Sequence, residues 1–110
     1  MGNEEGVCIV RTTVAKESDA VQLARAIVES RLAACVQSVP IRSVYRWKGR
    51  VEDEPEILLL AKTTRARSSA LVDYIRGTHP YEVPEIIVTP VDDGLPAYLQ
   101  WVSDETTPEP

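Results

Sequence analysis

No stretch of this 110-residue chain approaches the ~18 consecutive apolar residues that a membrane-spanning helix needs. The opening Met1-Gly2-Asn3-Glu4-Glu5-Gly6 has no basic cluster followed by an apolar core, so it is not expected to act as a secretory signal. Gly6 stands where a myristoylation motif wants Ser or Thr. Positive charge is scarce too: 12 Lys and Arg stand against 17 Asp and Glu, a formal net charge of −5. Nucleic-acid binding, which needs a basic face, is therefore not expected, and neither is a membrane partner. Cysteine is limited to Cys8 and Cys35, each flanked by apolar residues. They are too few for a disulfide scaffold and wrongly spaced for a zinc site, so the simpler reading is buried, reduced thiols in a cytoplasmic protein. There is one histidine, His79. No phosphate-cradling Gly-rich loop and no nucleophile beside a base accompany it, which leaves an enzyme reading little to stand on.

What is present is the composition of one globular domain, 44% apolar and 26% charged, with enough chain to bury a core unaided. The acidity is concentrated at the ends. Glu4 and Glu5 lie at the start, Asp104, Glu105 and Glu109 at the finish, and the body between them is balanced. The expected organisation is a flexible acidic N-terminus over 1–6, a single domain over 7–103 and a flexible acidic tail over 104–110.

Val7-Cys8-Ile9-Val10 is apolar on both faces and reads as a central strand running into Arg11-Thr12-Thr13. Ser18 is placed to cap a helix with the stripe Ala20, Leu23, Ala24, Ile27 and Val28. Leu32 to Val39 reads as a second strand, stopped or bent at Pro40. From Ile41 to Lys48 the chain alternates, with Ser43, Tyr45 and Trp47 on one face and Arg42, Val44, Arg46 and Lys48 on the other. Gly49-Arg50 signals a turn, and the acidic run Glu52, Asp53, Glu54 and Glu56 leads into the apolar Ile57 to Ala61. A second helix after Thr64 carries Leu71, Val72 and Ile75 and is expected to stop at Gly77. Glu85 to Thr89 is a fourth strand, and Pro96 opens a last helix.

This β-α-β-β-α-β order with a C-terminal helix is the α+β, ferredoxin-like split βαβ arrangement. A faint repeat supports it: Arg11-Thr12-Thr13, Ser18 and Val21 recur as Lys62-Thr63-Thr64, Ser69 and Val72. Arg11 and Lys62 are read as ends of parallel neighbouring strands running into helix starts, a reasonable anion site. The hairpin from Ile41 to Thr64 has arms well beyond the usual ~5–6 residues, and its exposed aromatics and open edge call for a partner chain.

The densest set of functional residue types is His79-Pro80-Tyr81-Glu82-Val83-Pro84-Glu85. Two prolines stiffen it, so an imidazole and carboxylates are presented with little ordering cost, suited to a divalent cation or a polar ligand. A proline-stiffened connection with solvated side chains is the plainer alternative.

With these residues the chain resembles the CutA divalent-cation-tolerance family from about Val7 to Val102. The likeness is carried by Thr12-Thr13, Arg31-Leu32-Ala33-Ala34-Cys35-Val36, Ser43 through Gly49, Leu60-Ala61-Lys62-Thr63-Thr64, His79 through Ile87, and Tyr98-Leu99-Gln100-Trp101. The resemblance implies a non-enzymatic protein tied to tolerance of copper and other divalent cations, with no obligatory cofactor. It also implies a PII-like homotrimer whose sheets join through the long hairpins and whose ligand clefts lie between subunits. Tyr45, Trp47, Lys62, Tyr81, Glu82 and Glu85 match the family's cleft cluster, and Arg11 joins them as a second cation. His79 matches the family's His-Pro-Tyr motif and, with Cys35, is a candidate metal ligand. Two further positions implicated in copper binding hold Thr12 and Thr78 here, neither a good soft-metal ligand. The alternative function is a PII-like sensor binding a small anionic metabolite near Arg11 and Lys62.

Overall fold

The computed structural model describes residues 6–108. Seven elements follow one another: β1 (Val7–Val14), α1 (Glu17–Glu29), β2 (Cys35–Trp47), β3 (Arg50–Thr64), α2 (Arg65–Thr78), β4 (Ile86–Pro90) and α3 (Pro96–Glu105). The strands form one sheet in the order β2-β3-β1-β4, every neighbour antiparallel. The two most apolar strands, β1 and β3, are central, as the ferredoxin-like reading requires. Arg11 and Lys62 therefore lie on antiparallel strands, not parallel ones: Arg11 faces Leu60 and Lys62 faces Ile9. With each strand leading into a helix of its own, the two helix starts sit at opposite ends of the sheet.

Strand alternation decides which face is covered. Val10, Val14, Leu59 and Ala61 point to one side, where they pack against Ala20 and Ile27 of α1 and Leu71 and Ile75 of α2. Thr12 and Thr63 share that side and are buried; Thr63 donates its hydroxyl to the Leu32 carbonyl at 2.7 Å. The opposite face carries Ile9, Arg11, Leu60, Lys62 and Ile87, with no helix of the α1–α2 layer upon it. At one end α3 closes the structure by packing Val102, fully buried, on Val7 and Ala34.

Several boundaries differ from expectation. The N-cap of α1 is Lys16, and Ser18 lies inside the first turn, where Glu17 and Asp19 favour the helix N-terminus through their charge. Val28, expected in the buried stripe, is 40% exposed. Helix α2 runs past Gly77 to Thr78, because the Thr78 hydroxyl bonds the Tyr74 carbonyl and the His79 amide bonds Ile75. The actual stop is Pro80, which forces His79 into an extended conformation. The two strands expected on either side of Pro40 are one strand, β2, with Pro40 paired opposite Ile57. An edge strand tolerates proline, since the missing N–H faces outward. Leu32 to Ala34 form instead a buried connection after Arg31, which takes the left-handed conformation. The C-terminal boundary moves as well. Asp104 and Glu105 are helical and Thr106 is buried, its hydroxyl on the Val102 carbonyl at 2.8 Å, while Arg31 bonds the Asp104 and Thr107 carbonyls. Residues 109–110 of the expected tail, and 1–5 of the expected N-terminal segment, lie outside the described residues.

The β2–β3 hairpin dominates the shape. It closes through Lys48 and Gly49, both with positive φ, the two-residue turn whose twist matches the flanking strands. Thirteen residues of β2 at about 3.3 Å each account for the 44 Å long axis. The core that supports it is small and aliphatic. Leu71→Ala is expected to destabilise the fold by about 2–5 kcal/mol in urea denaturation, against about 0.5 kcal/mol or less for Val21→Ala, an exposed position on α1.

Candidate functional site

The rigid connector after α2 folds back onto the sheet. His79 Nε2 lies 2.7 Å from the Thr13 carbonyl oxygen, and Nδ1 accepts the Tyr81 amide at 3.2 Å. This arrangement uses the Nε2–H tautomer and occupies both ring nitrogens. The imidazole also meets the Tyr81 ring edge-on, with centroids 4.6 Å apart. Tyr81 then donates its hydroxyl to Glu56 at 3.0 Å. His79 is thus a pin that holds Tyr81 over β3.

Glu56 begins a row that sequence reading had assigned only to cross-strand pairing. Glu52, Glu54 and Glu56 alternate along β3 on one face, opposite Tyr45, Ser43 and Ile41 of β2. Tyr45 donates its hydroxyl to Glu54 at 2.7 Å. Glu56 is 7% exposed, a buried carboxylate with a phenol as its partner. The period-two spacing of the three glutamates was the available signal, masked by Asp53, which faces the other way and pairs with Arg42 at 2.7 Å. At the hairpin tip Lys48 lies 5.5 Å from the Trp47 ring centroid and 3.5 Å from Glu82. Tyr45, Trp47, Tyr81 and Glu82 are accordingly drawn together along the far arm of the hairpin. Glu85 is exposed just before β4.

The remaining candidates lie elsewhere. Lys62 donates to Gln37 Oε1 at 2.5 Å and sits opposite Cys35, which is half-buried on the same open face. Arg11 stands one step away, opposite Leu60, and its Nε is buried with no hydrogen-bond partner. From Lys62 to Glu56 is six residues of β3, roughly 20 Å of strand. One chain therefore holds its candidate cleft as two separate groups, a basic end and an acidic, aromatic end, divided by Leu58 and Leu60.

The same separation bears on metal binding. Cys35 belongs to the basic end and His79 to the acidic one. Among the described residues, no group of three or more His, Cys, Asp or Glu is placed to share an ion. Thr12 is buried beneath the helices, and the Thr78 hydroxyl is engaged by the Tyr74 carbonyl, so neither supplements them. Cys8 is fully buried, and burial pushes its thiol up despite a hydrogen bond from Ser68 and the charge of Arg65.

Fold and surface together define a PII-like, ferredoxin-fold chain with one sheet face left uncovered by α1 and α2. The CutA1 divalent ion tolerance protein family matches residues 8–105, and the chain belongs to that family. A CutA homolog from Xenopus laevis is 50% identical over 93 residues, covering 84% of this chain and 58% of its own length. The divalent-cation tolerance protein CutA of Thermus thermophilus is 44% identical over 99 residues, covering 89% of this chain and 96% of its own. This chain thus spans little more than half the length of its vertebrate relatives and nearly all of the bacterial one. The solved CutA of Synechococcus elongatus superposes with a TM-score of 0.90 at 38% identity, over 94% of this chain and 92% of its own.

The two phenol–carboxylate pairs have a titration signature. The hydrogen bond to Glu54, with neighbouring negative charge, pushes Tyr45 up to about 12, and burial followed by the Glu56 bond pushes Tyr81 up to about 12. A raised value favours the protonated phenol, so what each pair adds to stability is present below about 10, the ordinary tyrosine value, and lost as pH rises further. Tyrosinate absorbance should show two of the four tyrosines ionising near 12. Glu54→Gln should bring one of them back toward about 10.

Proposed function

We propose that the chain works as a cytoplasmic, homotrimeric binding protein in divalent-cation tolerance, without enzymatic activity. Copper and other divalent cations are its ligand class, and no cofactor is obligatory. The observation that carries this reading is the division of the candidate cleft into two groups some 20 Å apart along β3 in one chain. Residues that a ligand must touch together are brought together only if a second copy supplies one of the groups.

The exposed apolar surface supports assembly independently. Tyr45 and Trp47 are 40% and 37% exposed on one face of the hairpin, and Val44 and Val51 more than 60% exposed on the other. An arm apolar on both faces, with β2 and β4 as open edges, suits a neighbour on either side. The number three comes from the likeness to CutA. The absence of enzymatic activity is supported by His79, whose ring nitrogens are both engaged by backbone groups. Two unpaired thiols suit a reducing compartment.

Cation binding then falls to the boundary between copies, with Cys35 and His79 as the candidate soft donors. Coordination through His79 Nε2 requires the ring to leave the Thr13 carbonyl, so uptake there loosens the loop. The second reading, a small anionic metabolite at Arg11 and Lys62, is favoured by one observation, the unbonded Nε of Arg11.

Native mass spectrometry should give about three times the 12.2 kDa of one chain; a monomer would remove the cleft. Calorimetric titration of Cu²⁺ and Zn²⁺ into wild type, His79→Ala and Cys35→Ser should show weakened binding in the variants. Three identical isotherms would exclude both residues as ligands. Binding of inorganic phosphate that survives His79→Ala and disappears in Lys62→Ala would favour the anion reading instead.

A further inference from the structure

Helix α2 starts against its electrostatic preference. A helix N-terminus favours negative charge, and α1 follows that rule with Glu17 and Asp19 in its first turn. The first turn of α2 holds no acid and carries Arg65 and Arg67 instead. Its N-cap, Thr64, makes no capping hydrogen bond. That residue is only 6% exposed, and its hydroxyl has no partner among the described residues. Arg67 is in a similar state. Its Nε is buried and unbonded, and its Nη2 makes one long hydrogen bond, to the Arg31 carbonyl at 3.4 Å. Among the described residues no carboxylate pairs with it. Buried donors left without acceptors are costly, so these departures at one helix start call for a compensating group.

Thr64 and Arg67 line one cavity. About 500 Å³ of space lies between the start of α2 and the side of α3, with Thr64, Ala66 and Arg67 on one wall and Leu99, Gln100 and Ser103 on the other. The Ala66 and Arg67 amides are among the first four of α2, for which the helix itself offers no acceptor. We propose that this cavity binds a small organic anion, whose phosphate or carboxylate group is held by Thr64, Arg67 and the opening amides of α2. Guanidinium and helix-start amides together supply charge-assisted donors to an oxyanion. The far wall selects the rest of the ligand. Leu99 is apolar, while Gln100 spends its amide nitrogen on Asp104 at 2.9 Å and leaves its oxygen as an acceptor. A short hydroxylated body attached to the oxyanion fits that wall, and a bare inorganic ion would leave most of the volume empty. The site is built within one chain and needs no second copy. Lys62, two residues before Thr64 on β3, is turned to Gln37 and does not line the cavity.

Glycerol 3-phosphate and glycerate share such a body and differ in the oxyanion, and glycerol is the neutral control. Calorimetric titration into the full chain should show saturable binding of at least one of the two anions and none of glycerol. Binding of the phosphate alone, of the carboxylate alone or of both identifies the oxyanion that the site takes. Arg67→Gln should weaken binding at least about tenfold and Thr64→Val about threefold or more, while Lys62→Ala leaves it unchanged. Circular dichroism on each variant separates loss of binding from loss of fold. Should a variant fail to fold, wild type alone decides: the amide resonances of Ala66 and Arg67 should move on titration, with those of Tyr81 to Glu85 unmoved. The site is overturned if neither anion binds, if glycerol binds equally, or if Arg67→Gln folds and binds as wild type does. Binding lost in Lys62→Ala, or shifts confined to residues away from the start of α2, would overturn it as well.

Discussion

Everything distinctive about this chain depends on a hairpin longer than its own core can cover. Strands β2 and β3 pair continuously from Cys35–Lys62 to Trp47–Arg50, whereas β1 accompanies β3 only from Thr64 back to Ile57. Beyond that point the ribbon is two strands wide, and a two-stranded ribbon is marginal in water. The inner half of β3 is secured by the aliphatic core on one face. The outer half is not, and its side chains combine aromatics, exposed valines and unneutralised glutamates. The homotrimer proposed above would cover them.

The connector after α2 ties this arm to the body. Pro80 ends the helix, His79 is fixed to the Thr13 carbonyl, and Tyr81 is thereby set against Glu56. The only imidazole in the molecule thus works as a hydrogen-bonded spacer between β1 and β3. Its chemistry as a ligand is subordinate to its geometry, since any metal must compete with a backbone carbonyl already in place. Lys48, reaching from the turn to Glu82, ties the far end of the same arm to the same loop.

The element order, the central position of β1 and β3, the turn at Gly49 and the opening of α3 at Pro96 were legible in the sequence, because each rests on a local rule. Period-two and helical alternation, a left-handed turn residue and a proline at a helix start all act over a few positions. The misread features depend on neighbours that local patterns do not reveal. Pro40 ends a strand only if that strand is internal, and β2 is an edge. Gly77 stops a helix only if nothing better closes the last turn, and Thr78 does. The cleft residues were named largely through family resemblance, yet their grouping was invisible. Strand direction decided it, and taking β1 and β3 as parallel placed Arg11 and Lys62 at helix starts they do not share. Glu54 and Glu56 were missed as partners of Tyr45 and Tyr81 because an acidic run reads as a solvated surface until its alternation is resolved face by face.

Membership of the CutA family gives this geometry its context, and the geometry divides the candidate cleft residues of a single chain between a basic end and an acidic, aromatic end of the sheet. The central claim is that the outer arm, Ile41 to Glu56, is buried between copies in solution. Backbone hydrogen exchange at native concentration reads this directly. If the claim is right, amides of the outer arm that pair across β2 and β3 are protected to nearly the same degree as those of β1. Rapid exchange of the outer arm beside a protected β1 would show a free, fraying hairpin and contradict it.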